Sequence, residues 1–155
     1  MRNPFSPFTY DLSDRVALIT GASSGLGARM AKVLSAHGAK VALAARRADR
    51  LSALQAEIEA QGGTAMAVGL DVSNEAQTVA AYDAGSRDSQ RGRILFISSI
   101  TSYYTQPNMS FYASSKAGVS QMGKALALDW ARMGVNVNMI APGYIQTEIN
   151  EGLFD

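Results

Sequence analysis

The sequence predicts an α/β fold built on a doubly wound parallel sheet. Three observations carry that prediction. Short apolar runs recur along the 155 residues, and each is followed by a segment with apolar residues at helical spacing. The runs are apolar throughout instead of alternating, as in strands covered on both faces. Glycines or a Pro-Gly pair stand where most of these segments have to stop.

The elements follow in order. Arg15 to Thr20 is a first buried strand and runs into the turn Gly21-Ala-Ser-Ser-Gly-Leu-Gly27. Leu26, Met30, Val33 and Leu34 form the stripe of a helix that Gly38 stops. Lys40 to Ala45 is a second strand. Asp49 is placed to cap a helix with the stripe Leu51, Leu54 and Ile58, ended by Gly62-Gly63. Thr64 to Leu70 is a third strand, leading into Asp71-Val72. Ser73 is placed to cap a helix through Val79 and Tyr82 that Gly85 ends. Ser86 to Gly92 is a polar loop, and Arg93 to Ile97 is another buried strand, followed by Ser98-Ser99. A long helix runs from about Ser110 to Met133 with the stripe Val119, Met122, Leu126, Trp130 and Met133, and Gly134 ends it. Val135 to Ile140 is a last strand before Pro142-Gly143. No linker or repeat divides the chain, so residues 1–155 read as one domain, with Met1 to Tyr10 a short tail before the first strand.

Composition removes several classes of function. An apolar share of 47% and a charged share of 17% suit a chain with a real core. A net charge of +1 makes no electrostatic case for nucleic acid or an anionic membrane. No apolar run approaches the roughly 18 residues of a membrane span. The absence of cysteine excludes disulfides and thiolate metal sites and is consistent with a cytoplasmic protein, and no metal site is expected.

The glycine turn carries the first chemical signal. Between a strand and a helix, glycines let the backbone turn tightly and approach a pyrophosphate, which the free N–H groups and positive end of the helix then hold. The same glycines would equally serve close packing of strand on helix. The spacing G-x-x-x-G-x-G differs from the common dinucleotide fingerprint. Gly21-Ala22-Ser23-Ser24-Gly25 also fits the G-x-S-x-G elbow of a hydrolase, but that chemistry needs a histidine further along the chain. The single histidine, His37, sits at the far end of the helix that starts at the turn. Arg46 stands 19 positions after Gly27, where an acidic residue would bind a ribose hydroxyl and an arginine suits a 2′-phosphate. This favours NADP, with NAD possible. Arg46, Arg47 and Arg50 would also make an ordinary solvated helix start.

The second signal is Tyr112-Ala-Ser-Ser-Lys116, which puts a phenol and an ammonium on one helical face. A bare phenol gives up its proton only near pH 10, and a fixed positive charge one turn away stabilises the phenolate. Ser99, thirteen positions earlier, follows a buried strand, from which its hydroxyl could bond the same substrate oxygen. The tyrosine–lysine spacing alone arises often by chance.

Taken together these features resemble the short-chain dehydrogenase/reductase family. Thr20-Gly-Ala-Ser-Ser-Gly-Leu-Gly27 matches its T-G-x-x-x-G-x-G turn, and Ser99, Tyr112 and Lys116 match its catalytic serine and Y-x-x-x-K. Asp71-Val72 matches its adenine contact, and Pro142-Gly-Tyr-Ile-Gln-Thr147 matches its P-G-x-x-x-T. The resemblance covers about Leu12 to Ile149. It implies a Rossmann-like fold and hydride transfer between a nicotinamide and a carbonyl/alcohol pair. Tyr112 would be the acid/base, Lys116 its activator and Ser99 the group that polarises the carbonyl. The implied cofactor contacts are Gly21, Ser23, Ser24, Gly25, Leu26, Gly27, Arg46, Asp71, Val72, Tyr112, Lys116, Pro142, Gly143, Ile145 and Thr147. The implied partners are a small-molecule substrate and further copies of the chain, as a dimer or tetramer. For the latter, the small face Ala113, Ala117, Gly123 and Ala127 of the long helix serves either another subunit or the chain's own sheet.

The chain departs from that family in two places. No N-N-A-G follows the third helix, so the family's fourth strand and catalytic asparagine are missing, and the chain ends at Asp155, soon after Thr147. The twenty residues from Ser73 to Gly92 still suffice for a parallel crossover, which needs a dozen or more. The Arg93–Ile97 strand is then expected either to close up to the first strand or to leave its edge open. A non-catalytic nucleotide-binding remnant, associating with full-length subunits, is the alternative function.

Overall fold

The computed structural model describes residues 10–86 and 93–145. They fall into two compact units, one within Met1–Arg87 and one within Asp88–Ile145. The first runs β1 (Val16–Thr20), α1 (Gly25–Ala36), β2 (Lys40–Ala45), α2 (Ala48–Ala60), β3 (Thr64–Gly69) and α3 (Glu75–Ser86). The second runs β4 (Arg93–Ile97), a 3-10 turn at Ile100–Ser102, α4 (Ser110–Trp130), a 3-10 turn at Ala131–Met133 and β5 (Asn136–Ile140).

In the first unit all strands are parallel, in the order β1-β2-β3. Val41 to Ala45 are buried on both sides of the central strand, as its unbroken apolar run demands. The registers Thr20↔Ala44 and Ala45↔Gly69 bring the ends of all three strands to one edge. The turns that leave those ends are thereby gathered, and that edge is where open α/β sheets bind ligands. Leu43 and Leu51 are fully buried and form the centre of a core with Val41, Leu54, Ile58 and Ala65.

Some expected details are corrected. The fully buried face of α1 is Ala31 and Ser35, with Ala28 nearby; of the expected stripe, Leu34 packs against the core, whereas Leu26, Met30 and Val33 are only half-buried. Small residues let the helix approach the sheet, and the larger ones lie at its flanks. Asp49 falls inside the first turn of α2, after Arg47 at the cap position, where its charge still favours the helix N-terminus. Asn74, not Ser73, caps α3: its Oδ1 accepts from Gln77 N at 3.1 Å. Val79 stays 54% exposed, so α3 buries less of its expected stripe. The side chains of residues 81–86, the loop residues 87–92 and the tail residues 1–9 lie outside the described residues.

The second unit is a parallel pair, β4 on β5, with Ile97↔Ile140 at the ends. Among the described residues of this unit, α4 is the helix that packs on it. Ile94 and Phe96 of β4, and Val137 and Met139 of β5, are half-buried, while Leu95, Asn138 and Ile140 are exposed. The expected stripe of α4 is rotated: Met122 and Met133 are exposed, and Ser120 and Gly123 are buried. A side-chain carbon on Gly123 would stand 2.7 Å from Met139 Sδ, so this glycine serves the chain's own strands and not a second subunit. Among the described residues, β1 has β2 as its one ladder partner and β4 has β5.

Leu51→Ala is expected to destabilise the protein by about 2–5 kcal/mol, because it opens a cavity in the closed part of the core. Urea unfolding followed by circular dichroism measures this, and a loss below about 1 kcal/mol would contradict the assigned core.

Candidate functional site

Two groups of candidate residues take shape, one in each unit. The first is the turn between β1 and α1. Gly21 and Gly25 hold φ of 67° and 54°, which a residue with a side chain rarely adopts. Gly27 has the opposite requirement: a Cβ there would collide with the carbonyl of Gly21 and stand 3.1 Å from Ala22 Cα. The glycines thus fold the turn onto itself, while the space in front of Gly21 stays open. Ser24 occupies the cap position of α1 but makes no capping bond to it, so it leaves the first-turn N–H groups of α1 to other partners.

The hydroxyls of the turn are turned to a cation instead. Arg47 Nη2 donates to Ser23 Oγ at 2.9 Å and to Ser24 Oγ at 2.7 Å, and its Nε donates to Ser23 Oγ at 3.2 Å. The structure therefore brings Arg47 to the glycine turn, beyond the expected Arg46. The sequence held a signal for this in the doubled arginine at the end of β2, but spacing alone pointed to its first member. Arg46 acts on Asp71 instead, where its positive charge lowers the carboxyl slightly. Ser73 dominates there, since the Asp71 carboxylate accepts its hydroxyl at 2.8 Å and its N–H at 3.0 Å. These bonds hold the Asp71 carboxyl below the usual carboxylate range, against a smaller opposing effect of burial. Val72 beside it is exposed. An uncapped helix start, two hydroxyls and a guanidinium form a donor set that suits a phosphate-bearing ligand.

The second group lies where β4 meets α4. Ser99 is buried and starts the 3-10 turn, its Oγ accepting from Thr101 N at 3.2 Å. That bond leaves the Ser99 hydroxyl proton available to a ligand. Tyr112 is 46% exposed in the first turn of α4. One turn on, Lys116 Nζ lies 5.8 Å from the centre of the Tyr112 ring and donates to the carbonyl of Ile97 at 2.9 Å. A strand-end carbonyl thus holds the ammonium over the Tyr112 ring. The expected pairing of Tyr112 and Lys116 on one face is present in the structure.

Pro142 and Gly143 follow β5, and the Pro142 carbonyl accepts from Ile100 N at 3.0 Å, which ties the segment after β5 to the turn after Ser99. Ile145 is exposed, and Thr147 lies outside the described residues. Sequence reasoning missed the buried Ser98 and Ser120, whose hydroxyls lie 2.6 Å apart. Nothing in the pattern separates them from surface serines. Among the described residues, no group of three His, Cys, Asp or Glu side chains could hold a metal, and no helix is long and apolar enough to cross a membrane.

Comparison with known proteins gives consistent matches. The family model described as short chain dehydrogenase matches residues 15–88 and again 84–155, two stretches that meet at the end of α3. A gluconate 5-dehydrogenase of Gluconobacter oxydans is 28% identical over 95% of this chain and 77% of its own length. The alignment spans 198 positions, more than the 155 residues of this chain, so dozens of the relative's residues have no counterpart here. A short-chain type dehydrogenase/reductase from Mycobacterium marinum superposes with a TM-score of 0.84 at 29% identity, covering 94% of this chain and 78% of that one. A gluconate 5-dehydrogenase from Burkholderia cenocepacia, solved with NADP and tartrate, gives 0.84 at 25% identity, over 97% and 78%.

The Asp71 turn yields a pH prediction. A carboxyl depressed on folding contributes stability that is present above its unfolded value and is lost as pH falls through the folded one. Carboxyl NMR titration is expected to place the Asp71 midpoint below that of a free aspartate, and Ser73→Ala should raise it. An unchanged midpoint in the variant would remove Ser73 as the main cause.

Proposed function

This chain belongs to the short chain dehydrogenase family, and from that premise we propose that it interconverts a small carbonyl compound and its alcohol with a nicotinamide dinucleotide as partner. The observation that carries the proposal is the Lys116 ammonium, held by the Ile97 carbonyl and 5.8 Å from the centre of the Tyr112 ring. It supplies a positive charge held over the ring of the phenol that would exchange its proton.

The donor set of the first unit fits such a dinucleotide. Gly21, Ser23, Ser24, Gly25, Leu26 and Gly27 would hold its pyrophosphate. Arg46 and Arg47 would meet a 2′-phosphate, and Asp71 and Val72 the adenine. After β5, Pro142, Gly143, Ile145 and Thr147 would hold its carboxamide. Single alignments with the relatives run through both compact units, which supports one functional domain over residues 1–155. When bound, the dinucleotide supplies the hydride that adds to the carbonyl carbon.

The chain's own residues handle the oxygen and the proton. Ser99 donates its hydroxyl to the carbonyl oxygen and so draws electrons from the carbon. Tyr112 gives its O–H proton to that oxygen as the negative charge develops. The phenolate left behind is stabilised by Lys116. The reverse order oxidises the alcohol. In this reading NADP is preferred, because the end of β2 offers two arginines and no carboxylate.

A second reading, a non-catalytic nucleotide-binding protein, is favoured by the dozens of positions that the aligned relative has and this chain lacks. The assay that separates the two mixes the protein with NADPH and a panel of small ketones and keto acids, including an oxidised gluconate. The proposal expects cofactor consumption, and Tyr112→Phe should lower turnover by a thousandfold or more while NADPH affinity changes little, because it removes the acid/base outright. Thermal stabilisation by NADPH with no turnover on any substrate would favour the second reading.

Cofactor choice tests the arginines. Arg47→Ala is expected to weaken NADPH binding by about ten- to a hundredfold and NADH binding far less, as for loss of a charge-assisted hydrogen bond. Arg46→Asp should move preference toward NADH. Equal losses for both cofactors, measured by fluorescence titration, would remove the 2′-phosphate from the assignment.

A further inference from the structure

Lys116 is held at its backbone as well as at its ammonium. Ser98 and Ser120 are buried, at 3% and 5% exposure. Ser98 Oγ lies 3.1 Å from the main-chain carbonyl of Lys116 and 2.6 Å from Ser120 Oγ. A carbonyl only accepts, so the single hydroxyl proton of Ser98 goes to Lys116. The shorter contact is then donated by Ser120. This gives a directed chain from the Ser120 hydroxyl through the Ser98 hydroxyl to the Lys116 carbonyl.

The arrangement departs from what a helical serine does by itself. The Lys116 carbonyl lies four residues before Ser120, and it is the partner a mid-helix serine ordinarily takes. Here Ser98, from the end of β4, takes that carbonyl and receives the Ser120 proton in exchange. Ile97, the preceding residue, accepts from Lys116 Nζ at 2.9 Å. Two consecutive strand-end residues therefore hold both ends of one lysine.

We propose that Ser98 and Ser120 are positioning residues that fix the height of α4 above the end of β4 and so keep the Lys116 ammonium beside Tyr112. The inference rests on the acid/base reading of that pair. A lysine side chain with four free rotors depends on its backbone for its position, and a misplacement of about 1 Å at a reacting group can cost on the order of a hundredfold in rate.

The test compares Ser98→Ala, Ser120→Ala and the double alanine variant with Ser115→Ala, a hydroxyl on the same helix that bonds the Tyr112 carbonyl at 2.7 Å. Alcohol oxidation is followed for kcat and KM. Ser98→Ala is expected to lower kcat about tenfold and leave KM for the alcohol within about twofold. Ser115→Ala should leave both in place. The double variant leaves neither hydroxyl unsatisfied, so its melting temperature should recover toward the parent while kcat stays low. A purely structural role would move kcat together with the melting temperature and restore both in the double variant, and that result would overturn the proposal. Lack of turnover by the parent protein would overturn the catalytic reading instead. The positioning role is then read from the NMR resonance of the Lys116 side chain next to its ammonium. A displaced resonance in Ser98→Ala that Ser115→Ala does not reproduce supports the role, and an unmoved one refutes it.

Discussion

The missing side chain of Gly27 decides how the glycine turn between β1 and α1 can exist at all. With hydrogen in place of a methyl, the first turn of α1 lies directly against the carbonyl of Gly21. That contact sets the angle at which α1 leaves β1, and with it the direction of the uncapped N–H groups and of the Ser23 and Ser24 hydroxyls. The small buried face of α1, Ala31 and Ser35, continues the same approach along the helix. Larger residues there would push α1 off the sheet and separate the turn from Arg47, whose three hydrogen bonds to the two serines depend on their shared position.

The second unit solves the same problem with a different set of atoms. Gly123 lets α4 settle on Met139 and Phe96 midway along its length. Nearer the functional end, the spacing is set by hydroxyls, through Ser98 and Ser120, and not by absent side chains. Space alone fixes how closely a helix can come, but hydrogen bonds of defined length also stop it from sliding. A group that must sit beside a phenol needs both limits. The position of Lys116 at the foot of the helix, with β4 at both of its ends, meets that need.

The strands were legible because parallel strands buried on both sides cannot hide their composition. Lys40 to Ala45 was read to the residue, and Arg15 and Leu70 fell just outside the observed strands although their backbone groups still bond to neighbouring strand ends, Arg15 to Lys40 and Leu70 to Ala45. The helix faces were less legible. Counting large apolar residues pointed to Met30, Met122 and Met133, whereas contact with a sheet selects for the residues that permit approach, Ala31, Ser120 and Gly123. Cap positions failed for a related reason. Ser73 and Asn74 are both good caps, and Ser73 was already committed to the Asp71 carboxylate. In the candidate site, the sharp glycine turn and the shared face of Tyr112 and Lys116 were legible from spacing, because backbone geometry alone sets both. Arg47, Ser98 and Ser120 act through bonds between elements, and no local pattern records those.

The shortened connection between α3 and β4 bears on the chemistry as well as on the fold. The family model matches in two stretches that meet there, so the chain keeps the sequence on either side of that point and lacks what the aligned relative carries between. The elements it keeps are the ones that carry donors: the glycine turn, the end of β2, and the β4–α4 junction with Ser99, Tyr112 and Lys116. In a parallel α/β unit each functional turn is fixed by its own strand and the helix that follows it. The bonds from Lys116 to Ile97 and from Arg47 to Ser23 are local in this sense, each joining a helix or turn to a neighbouring strand end. Among the described residues, β1 keeps one ladder partner and Leu95 of β4 stays half exposed, edges of the kind that invite strand pairing between molecules.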